Sequence, residues 1–216
     1  MNRHAAIFDI DGTLLDSYGV DNAMYADAVR AALGEVVIRD GWEKYARVTD
    51  TGVLADICGD NALAYDVSVA TAVMNVYLGF LQAHMEARGP YREIPGALKY
   101  LNTLRQRPDV RVAYATGGWR ASAERKLLSA GFPVEGIPLA SADDHQDRAQ
   151  IMLHALGQLQ GPFVSVTYFG DAVWDRAATT RLGWKFVAVG PKLKGLEDFA
   201  DVPADLVLHR ESGHLS

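Results

Sequence analysis

Two aspartates separated by one residue stand where an apolar run near the start of the chain ends. The segment AAIFDIDGTLLDS, residues 5–17, brings Asp9 and Asp11 to a turn that continues with Gly12. A lone Asp-Gly pair after a strand usually indicates only a turn. A pair of carboxylates can do more, because one can act as a nucleophile while the other transfers protons. This turn is therefore the first candidate for a reaction centre.

Two later apolar segments end in residues of similar chemistry. VRVAYATGG ends in Thr116 and two glycines, and SVTYFGD ends in Asp171, which is followed four residues later by Asp175. Ligands of an open α/β sheet bind beyond the carboxyl ends of its strands. If these strands neighbour the first one, we expect their ends to form a single crevice.

Several carboxylates in one crevice would need a counter-charge. Mutual repulsion and the loss of water would make the combination of Asp9, Asp11 and Asp171 costly. A divalent cation would remove that cost, and Mg²⁺ prefers hard oxygen ligands from a few protein carboxylates and from substrate phosphate. The sequence therefore predicts a Mg²⁺ site at these three aspartates.

Other residues at the strand ends suit a phosphate group. The candidate ligands are the Thr116 hydroxyl and the backbone N–H groups of Gly12, Gly117 and Gly118. Glycine lets the main chain approach an anion closely, and successive N–H groups can surround its oxygens. Arg148, at the start of a later helix, could balance the charge of the phosphate, with Lys126 as the substitute.

The elements that would position these residues change character along the chain. Residues 18–90 show apolar positions at three- and four-residue spacing, which indicates helices. From Pro95 onward, strand-like and helix-like segments alternate, as is typical of a parallel sheet covered by helices on both faces. The last strand of this series is predicted in ADLVLH, residues 204–209. The sequence thus predicts a doubly wound α/β core with a helical insertion after the first strand.

The composition narrows the class of protein. The chain has 216 residues, of which 49% are hydrophobic and 22% charged, as in ordinary globular proteins. A net charge of -6 without a basic run argues against nucleic-acid binding. The uncharged run at residues 67–83 contains polar side chains and fits a buried helix better than a membrane span. With no secretory leader visible and one cysteine, Cys58, we expect a cytoplasmic protein.

Four segments occur in a fixed order around the helical insertion: DIDGT, ATGG, DHQDRAQIM and GDAVWD. Together they resemble the haloacid dehalogenase superfamily, and the resemblance extends over nearly the whole chain. It implies a Rossmann-like core, residues 1–16 and 92–216, and a small helical cap domain, residues 17–91. The second acid, Asp11, resembles the phosphotransferase branches of the superfamily rather than the dehalogenating branch.

The resemblance also implies roles for individual residues. Asp9 is the nucleophile that forms an aspartyl-phosphate, and Asp11 is the general acid and base. The metal ligands are Asp9, Asp11 through its backbone carbonyl, and Asp171, with Asp175 behind them, and the phosphate ligands are Gly12, Thr116, Gly117 and Arg148. Arg148 stands where the superfamily usually carries lysine.

Within the insertion, ARVTDTGVL, residues 46–54, resembles a loop through which a cap contacts substrate. Arg47, Thr49 and Asp50 are the candidate contacts, although the same residue types also suit a plain surface loop. Asp16 and Ser17 suit the N-terminal cap of the helix that follows them.

These features predict a Mg²⁺-dependent phosphatase for a small phosphorylated metabolite, with phosphoglycolate phosphatases as the nearest branch. A sugar-phosphate phosphomutase would use the same core residues but would need a bisphosphate activator. A carbon–phosphorus hydrolase would need a cap lysine, for which Lys44 is the single candidate, and a non-catalytic binding protein would keep the fold without turnover. A nucleotide switch is not favoured, because neither GxxxxGK nor GxGxxG occurs. The sequence identifies neither the substrate nor the oligomeric state.

Overall fold

A parallel sheet lies at the centre of the protein, which a computed structural model describes over residues 3–208. Its strands are β1 (His4–Phe8), β2 (Val110–Ala115), β3 (Leu139–Ala140), β4 (Ser165–Gly170) and β5 (Lys185–Ala188). They lie in the order β3-β2-β1-β4-β5, and every neighbouring pair is parallel. The predicted parallel α/β core is confirmed.

Within residues 3–208, seven α-helices accompany the sheet. They are α1 (Tyr18–Leu33), α2 (Asp50–Asp60), α3 (Val67–Arg88), α4 (Ala97–Arg105), α5 (Arg120–Ser129), α6 (Arg148–Gln158) and α7 (Val173–Leu182). Successive strand residues point to opposite faces, so Phe8 packs with α4 and α5 while Ile7 packs with α6 and α7. The sheet is therefore doubly wound, and its strands are buried on both sides.

The helices α1, α2 and α3 all lie between β1 and β2 in the chain and share a hydrophobic cluster of their own. Tyr25, Leu54 and Tyr77 represent the three helices in this cluster, and Trp119 joins it from the core. We call residues 17–91 the helical insertion; the division at its two ends stays a prediction. None of the helices in the described part of the chain combines the length and the apolar character needed to span a membrane.

The helix α2 begins within residues 46–54, the segment predicted to be a cap loop. Thr49 caps the helix, since its hydroxyl accepts a hydrogen bond from the Gly52 N–H at 3.1 Å. Residues 46–49 are therefore loop and residues 50–54 are helix.

The strand predicted at residues 204–209 is wrong for the residues that the structure describes. Leu206–Leu208 form a 3-10 turn that follows Pro203, and residue 209 lies outside the described range. Side chains occupy the carbonyls that a strand would offer to a neighbour: Lys185 Nζ donates to Leu206 O at 2.7 Å, and Ser165 Oγ donates to Val207 O at 3.0 Å. Val207 is buried, and Leu206 and Leu208 are half-buried, against the hydrophobic cluster that contains Phe8, so the segment packs on the sheet instead of extending it.

Candidate active site

The carboxyl ends of β1, β2 and β4 lie side by side. Phe8 pairs with Tyr114 on one side and with Phe169 on the other, so the residues after these strands emerge at one edge of the sheet. A cavity opens there. Its lining includes these residues from the sequence analysis: Asp9, Asp11, Thr49, Asp50, Thr116, Gly117, Arg148 and Asp171. The crevice expected from the strand ends is present.

Three buried carboxylates come together at this edge. One oxygen from each of Asp9, Asp171 and Asp175 lies within 4.8 Å of the other two. Arg148 Nη1 lies 3.5 Å from Asp9 Oδ1 and 3.0 Å from Asp175 Oδ1. Lys192 donates a hydrogen bond to Asp171 Oδ2. Three carboxylates therefore face two cationic side chains.

The electrostatics of this group reflect its burial. Burial raises the pKa of Asp9 well above its ordinary value; Arg148 opposes the shift, whereas the carboxylates of Asp175 and Asp171 add to it. Burial also raises the pKa of Asp175 to about 6 and raises the pKa of Asp171. Burial thus disfavours the ionised form of all three acids more than Arg148 and Lys192 favour it.

Gly12 provides space for this group. A Cβ at Gly12 would lie 2.3 Å from Asp171 Oδ2, and the φ of +78° is one that side chains disfavour. The Gly12 N–H donates to the Leu15 carbonyl at 2.8 Å. The phosphate contact predicted for this N–H is therefore not available in this arrangement, and the observed role of Gly12 is to let Asp171 approach.

The carboxylate of Asp11 is directed to other partners. Its Oδ1 accepts hydrogen bonds from Ser17 Oγ at 2.5 Å and from Lys126 Nζ at 2.6 Å. Burial would raise the pKa of Asp11, but Lys126 and the hydrogen bonds outweigh it and hold the pKa below its ordinary value. The three carboxylates that lie together are thus those of Asp9, Asp171 and Asp175, whereas the sequence suggested Asp11 as the third. Ser17 stands at the start of α1, but its side chain makes no capping bond.

Lys126 connects Asp11 to the first helix of the insertion. The side chain is 2% exposed, and its Nζ also lies 2.6 Å from Asp21 Oδ2. Tyr91 Oη donates to Asp21 Oδ1 at 2.7 Å. The sequence suggested Lys126 only as a substitute for Arg148. Lys126 stands three residues after Ala123 and next to Leu127, which are both buried, and this helical spacing is the signal that Lys126 faces inward.

The loop after β2 brings the predicted phosphate ligands against the insertion. Thr116 is buried, and its Oγ1 accepts a hydrogen bond from the Gly118 N–H at 3.0 Å. A Cβ at Gly117 would lie 2.7 Å from Arg148 Nη2 and 2.9 Å from the Val48 carbonyl oxygen. Only glycine allows the loop, the arginine and the insertion to approach this closely.

The insertion contributes Thr49 and Asp50 to the cavity lining, whereas Arg47, the third predicted substrate contact, does not line this cavity. The Arg47 guanidinium lies 3.2 Å from Asp56 Oδ1 and donates to the side chain of Gln146. These partners hold the arginine between the insertion and the core, outside the cavity.

Comparison with known proteins identifies the family. A family model of haloacid dehalogenase-like hydrolases matches residues 4–183, which is most of the chain. The chain belongs to the haloacid dehalogenase-like hydrolases. No curated protein matched this hydrolase in sequence.

Solved structures share the fold of this hydrolase at low identity. A hydrolase from Pseudomonas syringae is 22% identical with a TM-score of 0.70, covering 92% of this chain and 95% of that one. CbbY from Rhodobacter sphaeroides, solved with phosphate, is 19% identical with a TM-score of 0.71, covering 92% and 96%. A β-phosphoglucomutase from Clostridium difficile is 16% identical with a TM-score of 0.67, covering 93% of each chain. At these identities the likeness establishes the fold alone.

The acidic group of the hydrolase fits a divalent metal ion. Asp9, Asp171 and Asp175 offer hard oxygen ligands at a suitable spacing. Lys192, which sequence analysis missed, supplies positive charge to this group. It follows β5 at the same edge of the sheet, so the rule that drew attention to the other strand ends would also have found it.

Proposed function

We propose that this hydrolase is a Mg²⁺-dependent phosphatase that acts on a small phosphorylated metabolite, with the insertion serving as a cap over the site. The observation that carries the proposal is the meeting of Asp9, Asp11, Asp171 and Arg148 at one cavity, with the buried Asp175 behind them in contact with Arg148. A buried carboxylate, a paired arginine and a second acid suit transfer of a phosphoryl group to an aspartate.

In the proposed first step, Asp9 attacks the phosphorus, and the bond from phosphorus to the ester oxygen breaks. Asp11 protonates the departing oxygen, which leaves as an alcohol. In the second step, Asp11 takes a proton from water as the water oxygen attacks the phosphorus. The acyl phosphate bond breaks, inorganic phosphate leaves, and Asp9 is restored.

The residues around Asp11 fix its position and favour its ionised form. Because its pKa is low, Asp11 is ready as a base in the second step and must be protonated before it acts as an acid in the first. Lys126 and Ser17 hold the carboxylate in one orientation. Arg148 beside Asp9 can balance charge on the transferred group.

The metal would be held by Asp9, Asp171 and the Asp11 backbone carbonyl, with Asp175 adjoining them. A bound Mg²⁺ would neutralise phosphate oxygens and draw charge from the developing transition state. This part of the proposal is supported by the geometry of the acidic group.

Relatives add support of a general kind. The CbbY structures contain phosphate or, in a variant, xylulose bisphosphate, and another neighbour is a phosphomutase. Their bound molecules and the name of the mutase all involve phosphate groups, which agrees with the chemistry proposed for this chain.

We expect release of inorganic phosphate from a panel of phosphorylated metabolites to depend on Mg²⁺. The panel is assayed with Mg²⁺ and with excess chelator, because the acidic group needs a cation before it can accept a phosphate dianion. Undiminished release in chelator would contradict the metal requirement. Turnover that yields an isomeric phosphate and needs a bisphosphate activator would identify a mutase instead, and no turnover would favour a binding protein.

Replacing Arg148 with alanine should lower kcat for phosphate release by about ten- to hundredfold, as expected for loss of a charge-assisted contact in the transition state. Arg148→Lys should retain more activity, since it keeps the charge but not the planar guanidinium. Steady-state kinetics of the two variants test this. Arg181→Ala is the control, because that side chain is 61% exposed and pairs with Asp147. Equal kinetics for wild type and Arg148→Ala would remove Arg148 from the mechanism.

A further inference from the structure

Among residues 3–208, Asp50 differs from the other carboxylates around the cavity in making no ion pair. Asp9 and Asp175 face Arg148, Asp11 and Asp21 share Lys126, and Asp171 contacts Lys192. Within residues 3–208, Asp50 makes no ion pair, and its carboxylate accepts one hydrogen bond, from the Trp119 N–H at 2.9 Å. One acid of the cavity lining therefore has no cation of the described residues at ion-pair distance.

Backbone contacts fix the position of Asp50. Its N–H donates to the Gly117 carbonyl at 2.7 Å, and Tyr25 Oη donates to the Asp50 carbonyl at 2.6 Å. The point where a Gly118 Cβ would lie is 3.7 Å from Asp50 Oδ2 and 3.7 Å from Asp11 Oδ2. The carboxylate of Asp50 is thus held on the cavity wall, a short distance from the proposed acid and base.

Aromatic rings share this end of the cavity. Tyr25, Trp42 and Tyr77 all belong to its lining. The Tyr25 ring centroid lies 5.5 Å from that of Trp42 at an interplanar angle of 85°, and 6.3 Å from that of Tyr77 at 66°. Aromatic rings attract organic cations through their faces. A carboxylate and aromatic rings that line the same cavity are the chemistry that recognises an ammonium group.

The protonation of Asp50 agrees with this picture. Burial raises its pKa to about 7, although the Trp119 N–H and the charge of Lys126 oppose the shift. The carboxylate has lost water without gaining a cation. An anionic group placed beside it would be repelled, whereas a bound ammonium would stabilise its ionised form.

We propose that the substrate is a short phosphate monoester that carries a protonated amine at the end remote from the phosphorus. Asp50 binds the ammonium group, and Tyr25, Trp42 and Tyr77 surround it. The inference rests on the proposed phosphatase function and names the substrate class for that site.

Three esters of similar length and different charge test the inference. They are O-phosphoethanolamine with an ammonium group, hydroxyethyl phosphate with a neutral hydroxyl, and phosphoglycolate with a carboxylate. With Mg²⁺ present, we expect kcat/KM for phosphate release to be about tenfold or more higher for the ammonium ester than for the neutral one. Phosphoglycolate should be the poorest substrate. Equal values for the three esters in the wild-type protein, or a preference for phosphoglycolate, would overturn the inference.

A charge-removing variant assigns the preference to Asp50. Asp50→Asn keeps an oxygen that can accept from the Trp119 N–H, so the ratio of kcat/KM for the ammonium ester to that for the neutral ester should fall close to one. Asp40→Asn removes the same charge from a fully exposed side chain of the insertion and should leave the ratio unchanged. An unaltered ratio in Asp50→Asn would contradict the role of Asp50.

The outcome also separates this inference from the function beneath it. If p-nitrophenyl phosphate and the neutral ester are hydrolysed but charge has no effect, only the substrate class is wrong. If no ester releases phosphate, the proposed phosphatase function fails and the inference fails with it.

Discussion

Replacing Asp9 with asparagine should abolish phosphate release, lowering kcat by at least about 10³-fold. The amide cannot form the acyl phosphate, and loss of a covalent nucleophile removes the whole two-step route. Phosphate release under saturating Mg²⁺ measures the effect. Asp16→Asn is the matched control, because it makes the same change at a nearby carboxylate that is exposed. Wild-type turnover by Asp9→Asn would contradict the covalent mechanism.

The same variant should be more stable than wild type when no metal is present. Asp9 is buried beside two other carboxylates, and its pKa is raised in the folded protein, so its ionised form destabilises the native state. Arg148 would still face Asp175 at 3.0 Å after the change. A gain of about 1 kcal/mol would raise Tm by about 2–4 °C. Melting curves in chelator at neutral pH measure it, and a lower Tm for the variant would mean that hydrogen bonds of Asp9 outweigh repulsion.

The pH dependence gives a second test of this stability effect. A carboxyl group whose pKa is higher in the folded state binds more protons when folded, so its contribution to the free energy of unfolding falls as pH rises above the unfolded pKa of about 4. Metal-free wild type should therefore lose stability over this range more steeply than Asp9→Asn. Asp9→Asn should still lose some stability between about pH 4 and 6, because Asp175 keeps a raised pKa of about 6, but its free energy of unfolding should fall less steeply with pH than that of wild type.

Replacing Lys126 with methionine should lower the free energy of unfolding by about 3–5 kcal/mol. Two carboxylates would remain near a buried site without the cation that now lies 2.6 Å from each, and breaking a buried ion pair from one side is strongly destabilising. Urea denaturation of both proteins measures the difference. Lys44→Met is the control, because its exposed pair with Asp40 at 3.6 Å should contribute less than about 1 kcal/mol.

A double variant distinguishes electrostatics from lost packing. Lys126→Met combined with Asp21→Asn removes one of the two stranded carboxylates, so it should recover part of the loss, with a coupling of about 0.5–3 kcal/mol. If the double variant is less stable than Lys126→Met alone, the stabilising role of Lys126 lies in its aliphatic stem or in the Tyr91 contact to Asp21.

The sequence determined the core of this protein because its signals are local. Alternating apolar strands and amphipathic helices predict a parallel sheet, and residues such as Asp9, Thr116 and Asp171 stand directly after strands, so the topology brings them together. The helical character of the insertion followed from the same periodicity. The strand predicted at residues 204–209 is wrong for Leu206–Leu208, because a short apolar run has no signal that separates a strand from a 3-10 turn packed against β1 and β4.

Only the tertiary structure decided which partners these residues take. Lys126 meets Asp11 and Asp21, which lie more than a hundred residues away in the chain, and Asp50 meets the loop at Gly117. Such contacts depend on how the insertion and the core pack together, and no local pattern of residue types encodes that packing. The acidic group illustrates the point. Spacing along the chain suggested that the carboxylates of Asp9 and Asp11 lie together, but the Asp11 carboxylate pairs with the buried Lys126, and Asp175, in the first turn of α7, lies beside Asp9 instead.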